Sequence, residues 1–389
     1  MRPLLAIPGP VEISPAVRAA AAAAPRGHQD PALIEAFGRT LESMRGVWRA
    51  EAGEQPFVIS GSGTLAMDSA VANLVAPGDA AVVVVTGYFS RRLAEMLRRR
   101  GAQVVELEAP LGQVPDVEQL ASTLERSPST KVVCLTHVDT STGILLDPAP
   151  YAALARAAGA LVVLDGVCAT GGERLQTSAW GIDVALTGSQ KALGLPPGLA
   201  LLVVSDRAIE ARRALPLAPA MMLDWLEWLP VHRAYEERRP SYFATPATSL
   251  IAAAAAGLDE LLAIGVDAVL QRHRRAAGAM RAVWANLGLR EVPDGAGARA
   301  HTLSNLWLPE GIGDEVRARI AARGAVVAGG LLPELRGRSV RVGHMGWITG
   351  EPEVLRRVAA AVAAGLVEGG LAADAEAALA AFDERWHQG

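Results

Sequence analysis

Lys191 is the residue in this sequence best suited to covalent chemistry. Of its 37 basic residues only Lys131 and Lys191 are lysine, and the rest are arginine. Arginine serves wherever positive charge is enough, but a guanidinium does not shed its proton and attack a carbonyl. A lysine kept in such a chain is therefore a candidate amine nucleophile. It lies in Gly188-Ser189-Gln190-Lys191, a Gly-flanked loop after the strand-like residues 183–187, and Leu193-Gly194-Leu195-Pro196-Pro197-Gly198 follows. Lys131 opens the strand-like 132–135 and reads as an edge or snorkelling residue. Asp165 ends the apolar run 161–164, where a carboxylate is costly unless paired. Taken alone it reads equally well as a helix cap or a satisfied turn. Gly61-Ser62-Gly63-Thr64 stands between an apolar strand and a helix, so it aims free backbone N–H groups and two hydroxyls at an anion, favourably a phosphate.

Elements must bring these three segments together. Short β-branched runs at 57–60, 81–85, 104–107 and 132–135 alternate with helical stretches at 65–75, 88–100, 117–126 and 149–158, and further strands are expected at 161–164, 184–186 and 199–203. This is the pattern of a doubly wound α/β fold with a mostly parallel sheet. In such a sheet a ligand sits beyond the carboxyl ends of the strands, which is where all three segments fall. After Pro246 come long Ala- and Leu-rich helices, 249–264 and 266–287, then short strands near 304–308 and 340–342 and helices at 314–322 and 353–366. The expected organisation is an N-terminal arm over 1–14, a large domain over 15–264 and a smaller α+β domain over 265–389. The Ala19–Ala24 run reads as ordinary helix. A phosphate cradle, a lone acid and a lone amine are what pyridoxal phosphate requires: an anion site, a partner for the ring nitrogen and a lysine that links to the aldehyde.

Composition narrows the alternatives. A net charge of -4 over 389 residues marks no nucleic-acid or membrane binder, and the expected partners are small molecules. The N-terminus has neither a secretory nor a transit pattern, and two cysteines, Cys134 and Cys168, each in an apolar strand-like run, make neither a disulfide scaffold nor a metal cluster. A cytoplasmic protein without a metal is expected. The fingerprint Gly61-x-Gly63-x-x-Ala66 also suggests a dinucleotide, but the next strand ends in Thr86-Gly87 rather than in an acid, which disfavours it.

The sequence resembles the class V aminotransferases of the fold type I pyridoxal-phosphate superfamily, in the branch of alanine-glyoxylate, serine-pyruvate and serine-glyoxylate aminotransferases. Nearly the whole chain carries the likeness: Pro8-Gly9-Pro10, the Gly61 cradle, Thr136-His137-Val138-Asp139-Thr140-Ser141-Thr142-Gly143, Asp165-Gly166-Val167, the Lys191 loop, Thr245-Pro246 and Arg341-Val342-Gly343. The resemblance implies that Lys191 links to the cofactor and Asp165 pairs with its ring nitrogen, with Val167 beside the ring. Ser62, Gly63, Thr64 and Gln190 would hold the phosphate, and Thr140 would face the ring hydroxyl. Phe89 stands where the branch carries a stacking Trp or Tyr, with Tyr88 as the alternative stacker, and Thr64 replaces a His of some relatives. Tyr242 and Thr245 match residues that reach the phosphate across a homodimer interface. Arg341 would clamp the substrate carboxylate, with Gly9 of the arm nearby. His137 reads as structural, because the lysine amine suffices for both proton transfers.

The activity implied moves an amino group from alanine or serine to glyoxylate or pyruvate. Pyridoxamine-pyruvate, phosphonate and ureidoglycine transamination are the alternatives within the class. A desulfurase would need an accessible thiol, which neither cysteine offers. A non-catalytic binding protein on the same scaffold is the alternative from another class.

Overall fold

The computed structural model describes residues 2–388. Seven strands form the central sheet: β1 (Gln55–Ser60), β2 (Ala80–Val84), β3 (Gln103–Leu107), β4 (Thr130–Thr136), β5 (Leu161–Asp165), β6 (Val184–Gly188) and β7 (Leu199–Val204). Their spatial order is β1-β7-β6-β5-β4-β2-β3. β7 is antiparallel to both its neighbours, and every other pair is parallel. The mostly parallel α/β architecture is as expected. Successive residues of each strand enter opposite cores: Val58, Val162, Leu164, Leu201 and Val203 face one cluster, while Phe57, Ile59, Val163, Leu202 and Val204 face the other. Both faces being covered by helices, each strand reads as a continuous apolar run, which is why these strands were visible in the sequence.

A second apolar cluster system belongs to the C-terminal region. Strands β8 (Leu303–Trp307), β9 (Ala328–Gly329) and β10 (Ser339–Gly343) make an antiparallel sheet with β10 in the middle. Helices Val266–Asn286, Pro352–Glu368 and Ala375–Gln388 close over it through Met280, Trp284, Val358, Val362 and Phe382. Helix Thr248–Ile264 meets helix Val266–Asn286 at Gly265, with an 86° bend. Among the described residues no single helix is long and apolar enough to cross a membrane; this bent pair passes that test only taken together.

Three expectations need correction. Lys131 is not on an edge: β4 lies between β5 and β2, and Lys131 is half-buried near its N-terminal mouth, the end remote from Asp165. Cys168 lies in the turn after β5 rather than in a strand. Leu4–Leu5 of the N-terminal arm pairs in parallel with Ala325–Val326 of the same chain. The Ala19–Ala24 run is helical only to Ala22, in helix Pro15–Ala22.

Candidate active site

β1, β5 and β6 all run the same way, so Ser60, Asp165 and Gly188 end on one edge of the sheet. From Ser60 the chain enters helix α1 (Gly63–Leu74) through Ser62, whose side chain makes no capping bond. The first-turn N–H groups of α1 therefore lack intrahelical acceptors and face outward as an anion site. Packing around this turn is close. A Cβ on Gly63 would lie 2.6 Å from Val167 Cγ2, and one on Gly188 would lie 2.9 Å from Gly63 N and 2.8 Å from Gln190 Oε1. Gln190 Oε1 is itself buried without a hydrogen-bond partner.

Lys191 is buried, and its Nζ donates to the carbonyl of Pro8. Gly9, at φ +84°, leaves room for that lysine where a Cβ would collide with its Cδ and with the Gln190 carbonyl. Burial pushes the Lys191 amine below its ordinary value, and the Arg341 charge adds to the effect, while Cys168 and Asp165 oppose it. An amine so placed is more readily neutral, the form that attacks carbonyls and accepts protons. Burial likewise pushes the Asp165 carboxyl up to about 7, with Asp139 adding and the Val167 N–H, Lys191 and Arg92 opposing. Asp165 Oδ1 accepts from Val167 N at 2.9 Å, its only hydrogen bond among the described residues. A buried acid this poorly satisfied is poised for a cationic partner.

Arg341, at the centre of β10, is also buried. Its Nε donates to Gly329 O (2.8 Å) and Nη1 to Thr140 O (3.2 Å). Burial pushes it down to about 10, and no carboxylate among the described residues pairs with it. A buried guanidinium without an anion, held by two carbonyls, is a ready carboxylate receptor. Thr140 thus enters the site through its carbonyl, while the Cys168 thiol pairs with Thr302 Oγ1 at 3.7 Å.

Sequence reasoning quoted Asp139 in its motif but gave it no role. Asp139 is fully buried, and its Oδ2 accepts from Phe89 N (3.1 Å), Ser90 N (3.2 Å) and Ser90 Oγ (3.2 Å). Its Oδ1 accepts from Ser141 N and Ser141 Oγ. This carboxylate fixes the N-terminus of helix α2 (Tyr88–Arg99) and with it the two aromatic residues. Phe89 is partly buried and packs on the same cluster as Val167 and Leu65, whereas Tyr88 is 37% exposed. The geometry favours Phe89 as the aromatic facing the site interior. The signal was an acid two residues before a hydroxyl, an Asx-type turn.

Some expected residues stay apart. Tyr242 and Thr245 are exposed and bond each other (3.4 Å), Tyr242 also packs on His28, and neither touches the Lys191 group in its own chain. His137 is buried against Trp180 with its Nδ1 unpartnered, and burial pushes it down to about 4, as befits a structural residue. Cys168 lies close enough to Lys191 for their charges to interact, but its thiol is buried and raised; burial pushes the Cys134 thiol up to about 12. An open cleft of about 930 Å³ passes Thr64, Tyr88 and Arg92 toward Leu332 and Glu334, touching the site at its mouth.

The residues present fit pyridoxal phosphate. The uncapped α1 turn suits the phosphate, as does the donor NH2 end of the adjacent Gln190 amide, buried Asp165 suits a protonated ring nitrogen, and the glycine cradle leaves Lys191 accessible to an aldehyde. Comparison with known proteins agrees. Residues 21–330 match the family described as Aminotransferase class-V. The chain is 34% identical to alanine–glyoxylate aminotransferase 1 of Saccharomyces cerevisiae, over 88% of this chain and 91% of that one. It is 31% identical to pyridoxamine–pyruvate transaminase of Mesorhizobium japonicum, over 82% and 80%. The crystal structure of ureidoglycine-glyoxylate aminotransferase from Bacillus subtilis superposes with a TM-score of 0.92 at 27% identity, covering 100% of this chain and 98% of that chain.

Proposed function

Because the chain belongs to the class V aminotransferases and is a pyridoxal-phosphate-dependent transaminase, we propose that it moves an amino group from alanine or serine to glyoxylate or pyruvate. The observation that carries this reading is the buried, anion-free guanidinium of Arg341, whose charge reaches the buried amine of Lys191. Such a site receives one α-carboxylate, and among the described residues no cation other than Arg341 acts on the Lys191 charge.

Each residue has a definite task. Arg341 binds the carboxylate of the amino acid and, held by Gly329 and Thr140, turns the substrate Cα toward Lys191. Ser62, Gly63, Thr64 and Gln190 would hold the phosphate, Phe89 and Val167 would line the ring pocket, and Asp165 would hold a proton on the ring nitrogen. The bound cofactor supplies the electron sink for the pair left when Cα loses its proton. Lys191, its proton affinity lowered by burial, takes that proton at Nζ and delivers it on the other side of the transfer. Pro8 O holds the amine between turnovers. Gly9 lies against Lys191 and, having no Cβ, leaves the lysine its place in the site.

We further place the protein in the cytoplasm as a homodimer. Tyr242 (60% exposed) and Met221 (64%) lie beside Met222 and Phe243, which Trp228 joins through a bond to Met222 O and an edge contact with Phe243. This exposed apolar surface suits burial against a second copy, carrying Tyr242 and Thr245 to the partner's phosphate site. Pyridoxamine–pyruvate transamination is the second reading, favoured by the Mesorhizobium relative, but the intact cradle of Ser62, Gly63 and Thr64 is better matched to a phosphorylated cofactor.

The test is a spectral half-reaction with a panel of donors. Alanine or serine converts the visible chromophore of the loaded protein to the near-ultraviolet amine form, and glyoxylate or pyruvate restores it. Conversion by free pyridoxamine alone would favour the second reading, and no conversion by any donor would favour a binding protein.

A further inference from the structure

Helix α2 carries four arginines, and three have a carboxylate. Arg91 pairs with Glu106 and Glu108, Arg98 with Glu106 and Arg99 with Glu95. Arg92 pairs with none among the described residues. Its Nη1 donates to Thr64 Oγ1 (3.3 Å), its Nη2 donates to Tyr88 Oη (3.2 Å), and its guanidinium carbon lies 5.0 Å from the Tyr88 ring centroid and 5.1 Å from that of Phe89. The cation is thus clamped by two aromatic faces at the first turn of α1, and its field reaches the Asp165 carboxyl. The anion cradle otherwise holds only neutral donors: backbone N–H groups, the Ser62 and Thr64 hydroxyls and the Gln190 amide.

We propose that Arg92 is the fixed cation of the phosphate site, which neutralises the cofactor phosphate and polarises Thr64 toward it. This rests on the pyridoxal-phosphate reading above. Because Thr64 Oγ1 accepts from Arg92, its own O–H is left to donate to a phosphate oxygen. Since the guanidinium is already stacked and bonded, little side-chain freedom is lost when the anion arrives. The contrast within α2 carries the point: three arginines serve surface ion pairs, while the one turned to the cradle is left with its charge uncompensated.

Equilibrium binding of pyridoxal 5′-phosphate and of pyridoxal, followed by tryptophan fluorescence, tests this in the apo protein, in Arg92→Met and in Arg92→Lys. Loss of a charge-assisted bond predicts about 10- to 100-fold weaker binding of the phosphorylated form to Arg92→Met. Pyridoxal binding should change by less than about threefold, since that ligand lacks the group Arg92 serves. Arg92→Lys, which keeps the charge but loses the fork, should fall between. Equal losses for both ligands, or no loss for either, would overturn the role of Arg92 while leaving the cofactor assignment standing. Failure of the parent protein to prefer the phosphorylated form would instead overturn the cofactor reading itself. Melting temperatures of the apo variants, unchanged in the expected case, separate this from a folding defect.

Discussion

Asp165 shows how one burial decides a protonation state. Its carboxyl is pushed up to about 7, so the folded apo protein holds a proton that the unfolded chain releases near its ordinary 3.8. The stabilising contribution of this group is full below about pH 4 and lost as pH rises through about 7. Asp165→Asn should therefore stabilise the apo protein at pH 8 relative to the parent, by at most ~4 kcal/mol, and the advantage should vanish near pH 4. Melting curves of both apo proteins across that range measure it, and the difference cancels the opposing acid sensitivity of buried His137, His232, His273 and His344. Lys191 and Asp165 were legible in the sequence because each is a chemically costly residue at a strand end. Arg92 and Arg341 differ in this respect. Among 35 arginines neither stands out by type; a motif marked Arg341, and only its place over Thr64 marks Arg92.

At the scale of elements, the site depends on Gly63 of α1 lying directly against the Val167 side chain of the β5 turn, with no Cβ of its own. Gly63→Ala would place a methyl 2.6 Å from Val167 Cγ2, next to the Gly188 backbone, which cannot retreat. Overpacking of this kind costs ~1–3 kcal/mol, so we expect a lower melting temperature of the apo protein and roughly tenfold or greater loss of cofactor affinity. Fluorescence titration and thermal melts check both. The sheet strands were legible because buried parallel strands are β-branched runs ended by Gly or Asp. Helix Trp225–Glu236 was not, since Pro230 inside it reads as a breaker. Helix Ala375–Gln388 buries only Ala378 and Phe382, too few apolar positions to fix a helical period. The pairing of Leu4–Leu5 with Ala325–Val326 joins residues more than three hundred positions apart, which no local pattern reports.

At the scale of the whole molecule, the proposed shared phosphate site needs a second copy of the chain. The Tyr242 and Thr245 hydroxyls bond each other at the surface rather than serving their own chain's cradle. Light scattering of the loaded protein should therefore give a dimer, and dilution below the dimer's dissociation constant should release cofactor in step with dissociation. A fully active monomer would remove Thr245 and Tyr242 from the site. The central claim, that this chain works through a covalent lysine, has a more direct test because it has only two lysines to choose from. Borohydride reduction of the pyridoxal-phosphate-loaded protein, followed by peptide mass mapping, should place the cofactor on Lys191 in near-stoichiometric yield and leave Lys131, at the far end of β4, unmodified. Label on Lys131 alone, or no label on either lysine from protein that still transaminates, would contradict the account.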